Sequence, residues 1–353
     1  MFKSLSQSSQ NSTYQGLIDA YRQNFTLRSK GFILPPIKYV GNFQSKTGSH
    51  ISPREKVFVA IAVKDQANLI VSIVDSLCKH INVDFQIGLL FDNCQDKSET
   101  QCLEYFENMF DEFENLTKVH FIRSDGELFE ATCENILSLY CEADFFMSLQ
   151  ADMFFKDYTF VARCLKFFSD VPNLFAISGR AIVRLSLDSK VSQAKKLISK
   201  ITRRILALVK HGAIHEVLGP YLKNLDYFGD VAHPPYSKMN FTRKEFEKVF
   251  FGESVIRGPI IWKSEIYKKL NGLDDLGHVL GRDECDLCFR AGKSGYIVGY
   301  LPCLCFSFPE MGTSRKARNL NSVKALQQRE KLAAENPSVL SNFWTRSQVK
   351  RKN

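Results

Sequence analysis

Three polar stretches stand where apolar runs stop: Lys64-Asp65 after residues 57–63, Asp92 through Asp96 after 85–91, and Gln150 through Asp152 after 145–149. A side chain at the carboxyl end of a buried parallel strand faces the crevice in which open α/β sheets take their ligands. Asp is common in turns, and any one of these alone reads as a turn residue. Three Asp-bearing loops on neighbouring strands read together as one ligand site. Farther along, Asp283 and Glu284 are followed by Asp286 and Arg290, four apart on one helix face and spaced for an i,i+4 ion pair. Cys285 with Cys288, and Cys303 with Cys305, have spacings that could serve zinc. The first pair falls inside a helix and the second inside a buried strand, so ordinary buried thiols are the favoured reading.

The elements that must carry these residues alternate. Residues 57–63 form a nearly continuous apolar run of the kind buried on both faces of a sheet. A helix is expected over about 68–79, with Leu69, Ile70, Ile73, Val74 and Leu77 on one face. Then come a strand over 85–91, a helix over 99–112, a short strand near 119–122, a helix near 131–140 and a strand over 145–149. Strand and helix at this spacing predict an α/β fold, a mostly parallel central sheet flanked by helices with right-handed crossovers. Residues 1–50 read as an extension, with a short helix over 14–26 and then a linker through Pro35, Pro36 and Gly48.

The net charge of +9 is unevenly placed. Residues 188–250 hold 12 basic and 6 acidic residues, and 315–353 hold 10 and 2, so the remainder is mildly acidic. Within 189–210 seven basic residues meet no acidic one, and Leu197, Ile198, Ile201, Ile205 and Leu208 recur at helical spacing. That is a basic amphipathic helix, suited to covering a core or to contact with an anionic membrane surface. Nucleic acid is disfavoured, because no recognition module or aromatic interleaving accompanies the basic residues. The polar start lacks the apolar stretch of a signal peptide and no apolar run reaches membrane-spanning length, so a cytoplasmic protein, peripheral to a membrane at most, is expected. The ten cysteines are expected to be reduced.

In their order these motifs resemble family-2 glycosyltransferases of the GT-A fold. Lys64-Asp65-Gln66 is similar to the turn after that family's first strand, and Asp92-Asn93-Cys94-Gln95-Asp96 to its following Asp-rich loop. The strand into Gln150-Ala151-Asp152 resembles the one that ends in the family's Asp-x-Asp metal motif. Gly258 through Lys263 and Leu270 through Asp275 resemble the acceptor-side strand and turn. Gly281-Arg282-Asp283-Glu284, continuing to Asp286, Leu287 and Arg290, resembles the helix that carries the catalytic base. The resemblance covers roughly residues 55–310.

It implies a GT-A-type nucleotide-sugar-binding domain over 55–314, an N-terminal extension and linker over 1–54, and a basic helical tail over 315–353. Residues 188–250 would be a basic, largely helical insertion on the acceptor side, which Trp262 helps to shape. The implied activity is transfer of a sugar from a nucleotide-diphosphate sugar to a hydroxyl acceptor with inversion, the acceptor being a glycan, a lipid-linked sugar or a protein. Asp65 and Asp92 would serve the nucleobase and ribose. Asp152 would hold Mn²⁺ or Mg²⁺, and Gln150, a neutral amide where the family has Asp, would bond a ribose or a metal-bound water. Glu284 falls on the position of the base, with Asp283 the alternative. A GT-A-like protein that binds nucleotide sugar with little or no turnover is the rival reading.

Overall fold

The computed structural model describes residues 34–45, 57–179, 226–230, 249–255, 258–275 and 283–307, together with Tyr21, Val323, Lys324, Gln327 and Lys331 singly. In chain order these form β1 (Ile37–Gln44), β2 (Val57–Val63), α1 (Ile70–His80), β3 (Phe85–Asp92), α2 (Ser98–Met109), β4 (Leu116–Ser124), α3 (Phe129–Leu139), β5 (Phe145–Ser148) and β6 (Met153–Phe155). There follow α4 (Phe160–Asp170), β7 (Leu174–Ser178), β8 (Asp226–Asp230), β9 (Phe250–Ser254), β10 (Ile260–Lys263), α5 (Ser264–Lys269), α6 (Asp283–Lys293), β11 (Ile297–Tyr300) and β12 (Cys305–Ser307).

Ten strands make one sheet in the order β1-β4-β3-β2-β5-β10-β7-β11-β9-β8, and β12 pairs with β6 in a small second sheet. The half containing β4, β3, β2 and β5 is parallel. Beyond it the sheet is mixed: β10 is antiparallel to both β5 and β7, whereas β11 is parallel to β7. The expected α/β fold with helices flanking a large sheet is present, and the parallel character is confined mainly to its first half.

Alternation along β2 feeds two cores. Val57, Val59, Ile61 and Val63 pack with α1, α2 and α4 on one face, while Phe58 and Ala60 pack with α3, α5 and α6 on the other. This explains why the strand reads as one apolar run: each side chain enters a covered layer, where full burial is worth roughly 1.5–3 kcal/mol for a residue of this size. In α1, Ile70, Ile73, Val74 and Leu77 form the buried stripe, and Lys79 and His80 sit in the last turn, where positive charge suits the helix dipole.

Three expectations change. Ile37–Gln44, read as linker, is the edge strand of the sheet, antiparallel to β4 with a register shift between Tyr39 and Gly41. Asp226–Asp230, inside the expected helical insertion, is a strand parallel to β9. Trp262 is 1% exposed; it belongs to the core, where it packs on Phe175 and Tyr267 and donates from Nε1 to Ser148 Oγ at 3.1 Å. The side chains that cover that face of the sheet leave it no access to an acceptor. The basic segment 189–210 lies outside the described residues, as does the tail over 315–353 apart from its four single residues. Of the short helix expected over 14–26, Tyr21 alone is described, and it is helical.

Candidate active site

One edge of the sheet collects the chemistry. Because β2, β3, β5, β7 and β11 point the same way, their carboxyl ends share an edge. Helix α3 leads into β5 and α6 leads into β11, so the amino termini of both helices lie at that edge. Residue 258, just before the antiparallel strand β10, lies there too. Lys64, Asp65, Asp92, Gln150, Asp152, Asp283 and Glu284 are thus gathered at one end of the fold.

The turns after β2 and β3 are stitched together. Asp65 and Asn93 both take left-handed backbone, each with φ 48°, which Asp and Asn tolerate better than most residues. Lys64 Nζ donates to Asn93 O at 2.6 Å, Gln95 N to Asp65 Oδ1 at 2.7 Å and Ala67 N to Asp96 Oδ2 at 2.8 Å. Lys64 also pairs with Glu127 at 2.8 Å. Burial works against its charge, but the hydrogen bond and charge of Glu127, with Asp65 and Asp92 beyond, outweigh it and hold the ammonium above its ordinary pKa. Lys64 therefore stays a fixed positive charge at this edge of the sheet.

Asp92 is 5% exposed, and its carboxylate serves the fold: Oδ1 accepts from Leu128 N at 2.7 Å and Oδ2 from Phe129 N at 2.9 Å. Burial pushes its carboxyl up to about 6 against the pull of those two N–H groups. Asp92 ends β3 at this edge of the sheet, and its two oxygens are committed to the start of α3.

Asp65, Cys94 and Asp96 offer ligand atoms within 4.8 Å of one another. The chemistry of the set does not suit a hard divalent cation. Burial pushes the Cys94 thiol up to about 12, it donates to Val63 O, and both Asp96 oxygens already accept hydrogen bonds from Ala67 and Ser98. These three lock a turn. Among the described residues this is the one such group, so Cys285, Cys288, Cys303 and Cys305 gather no zinc ligand set. None of the ten cysteines is in a disulfide, and burial raises Cys288 and Cys303 well above the ordinary thiol range.

Gln150 and Asp152 lie on the turn from β5 into β6, closed by Met153 N donating to Gln150 O at 3.1 Å. Both are half-buried. A carboxylate and an amide carbonyl on one turn are oxygen donors of the type Mg²⁺ and Mn²⁺ take. The pair carries a single negative charge, so an ion there would draw its remaining ligands from substrate phosphates and water. Gly258 makes room for this turn: with φ 73°, a Cβ on it would fall 2.5 Å from Met153 Sδ and 3.3 Å from Gln150 Cγ.

At the start of α6, Asp283 is 1% exposed, while Glu284 is half-buried with Oε2 accepting no hydrogen bond among the described residues. The helix is anchored by Arg290, which donates to Asp286 at 2.9 Å, to Gly272 O at 2.6 Å and also to Leu270 O. The expected i,i+4 pair is present and also ties α6 to the turn over 270–272.

The motifs overlooked α3. Glu127, Glu130 and Glu134 fall along one side of its start and meet, in turn, Lys64, Gln150 Nε2 at 3.2 Å and Ser148 Oγ at 2.7 Å. Their spacing of three and four was the available signal; the partners, on other strands, were not visible to it.

No family model matches the chain, and no curated protein does. Among solved structures it is similar to the mannosyltransferase PcManGT from Pyrobaculum calidifontis, solved with GDP-Man and Mn²⁺, at 13% identity and a TM-score of 0.48, over 94% of this chain and 81% of that one. It is also similar to S. aureus TarS 1-349 with UDP-GlcNAc, at 11% identity and a TM-score of 0.41, over 80% of this chain and 66% of that one. For GalNAc-T7 with UDP, GalNAc and Mn²⁺ the identity is 9% and the TM-score 0.45, over 82% of this chain and 51% of that one.

Proposed function

We propose that this chain is a GT-A-type glycosyltransferase that moves a sugar from a nucleotide-diphosphate sugar to a hydroxyl acceptor with inversion. The observation that carries the reading is the meeting of the three strand-end turns with the first turn of α6 at one sheet edge. That meeting supports a reading in which the donor half and a carboxylate base share one site.

In this reading Asp65 serves the nucleoside, and Asp92 supports that end by holding the start of α3. Asp152 and the Gln150 carbonyl hold Mn²⁺ or Mg²⁺, which when bound neutralises charge on the departing diphosphate. Lys64 contributes a second, permanent positive charge. Glu284 takes the proton of the acceptor hydroxyl as its oxygen attacks the anomeric carbon. Glu284 is half-buried whereas Asp283 is 1% exposed, which favours Glu284 as the base. The neutral Gln150 keeps a second reading in play, a protein that binds nucleotide sugar with little turnover.

Thermal-shift measurements on the full chain with UDP-, GDP- and dTDP-sugars, with and without Mn²⁺, test the donor half. Stabilisation by one nucleotide class, enhanced by Mn²⁺, is expected; no shift with any of them would overturn the proposal. Product release by the bound donor then separates transfer from binding alone.

A further inference from the structure

Glu130 has no part in the activity proposed above, yet its carboxylate meets the one site residue whose chemistry is ambiguous. An amide side chain presents either a carbonyl oxygen or an NH₂ group, and the two are opposite in kind: the first binds a cation, the second repels it. Gln150 is held at two points: its main-chain O accepts from Met153 N at 3.1 Å, and its Nε2 donates to Glu130 Oε1 at 3.2 Å. A carboxylate can only accept, so it selects the NH₂ end and turns the carbonyl oxygen away from itself. None of the described residues donates to that oxygen.

We propose that Glu130 is a positioning residue for the metal: it fixes the Gln150 amide so that Oε1, and not Nε2, is presented beside Asp152. Glu130 thus supplies, at one remove, the discrimination that a carboxylate at position 150 would supply directly. The inference rests on the metal-assisted reading of the site and adds a residue that the motifs do not contain. It also accounts for a neutral residue at position 150, since a carboxylate there would lie against Glu130 and repel it.

The test is the affinity of the full chain for Mn²⁺ in the presence of UDP or GDP, read by calorimetry or by the Mn²⁺ EPR signal, with nucleotide affinity in EDTA measured alongside. Glu130→Gln can hold either end of the Gln150 amide. It is expected to weaken Mn²⁺ binding about tenfold, the lower end of what removing an outer-shell partner costs, while leaving nucleotide affinity in EDTA unchanged. The exchanged double variant, Glu130→Gln with Gln150→Glu, again has an amide NH₂ facing a carboxylate and is expected to bind Mn²⁺ at least as tightly as the wild type. Unchanged Mn²⁺ affinity in Glu130→Gln would overturn the proposal, as would failure of the exchange to restore it. Wild-type binding of nucleotide that is indifferent to Mn²⁺ would defeat this inference alone. No nucleotide binding at all would defeat the functional reading with it.

Discussion

The carboxylate of Asp92 accepts the main-chain N–H groups of Leu128 and Phe129 at 2.7 and 2.9 Å, and Phe129 lies at φ 65°. A bulky side chain in left-handed backbone costs of order 1–3 kcal/mol and persists where neighbours over-determine it. A strand end here fixes the first turn of the helix that carries Glu130 and Glu134.

Asp92 should therefore leave a mark on the pH dependence of stability. Its carboxyl is raised by burial to about 6 in the folded protein, against about 3.9 unfolded. The folded state then binds the proton more tightly. That contribution is full below about pH 4 and is lost as pH rises through about 6. Asp92→Asn cannot titrate. Urea unfolding from pH 4 to 7 should show the wild type losing stability relative to the variant, by on the order of 2 kcal/mol. Parallel curves would show that Asp92 does not titrate in this range.

Gly258→Ala should damage the donor site without touching a charged group. The new Cβ would fall 2.5 Å from Met153 Sδ at a backbone φ of 73°, so the turn bearing Gln150 and Asp152 must move. Loss of Mn²⁺-enhanced nucleotide binding is expected, with melting lowered by about 1–3 kcal/mol equivalent. Wild-type binding in the variant would show that this contact does not shape the turn.

Arg290 is expected to be structural. Replacing it with Ala strands the Asp286 carboxylate, whose side chain is 2% exposed, and removes donors to Leu270 and Gly272. Breaking a buried pair from one side costs about 3–5 kcal/mol. Arg290→Lys should recover only part of it, since a single ammonium cannot span the same acceptors. Denaturant unfolding reads the difference, and a loss below about 1 kcal/mol would contradict this account.

The two acids that open α6 should separate in kind. Glu284→Gln is expected to cut turnover by about 10²–10⁴ with donor binding kept, the usual range for losing a positioned base. Asp283→Asn is expected to act mainly on stability, because Asp283 is 1% exposed. Steady-state kinetics paired with thermal melts distinguishes them. The reverse pattern would make Asp283 the base.

What the sequence made legible follows from where information is local. Val57–Val63 and Phe85–Asp92 were readable because strands covered on both faces need apolar residues almost throughout. The site turns were readable because they end those strands. Ile37–Gln44 was missed: an edge strand with polar positions and a register shift at Gly41 lacks clean alternation, and the prolines before it suggested a linker. Trp262 was misplaced because the side chains that cover it, Phe175 and Tyr267 among them, are not a property of its own strand. Glu130 was invisible for the same reason, since an acidic residue on a helix declares nothing about the glutamine it meets twenty positions later.

The most direct measurement is release of nucleoside diphosphate from the donor sugar that the wild type binds, compared among wild type, Asp152→Ala and Glu284→Gln with Mn²⁺ present. The account predicts turnover by the wild type. Asp152→Ala should lose metal-dependent donor binding and turnover together, and Glu284→Gln should bind the donor normally yet turn over at least about a hundredfold more slowly. Wild-type turnover in both variants would contradict it.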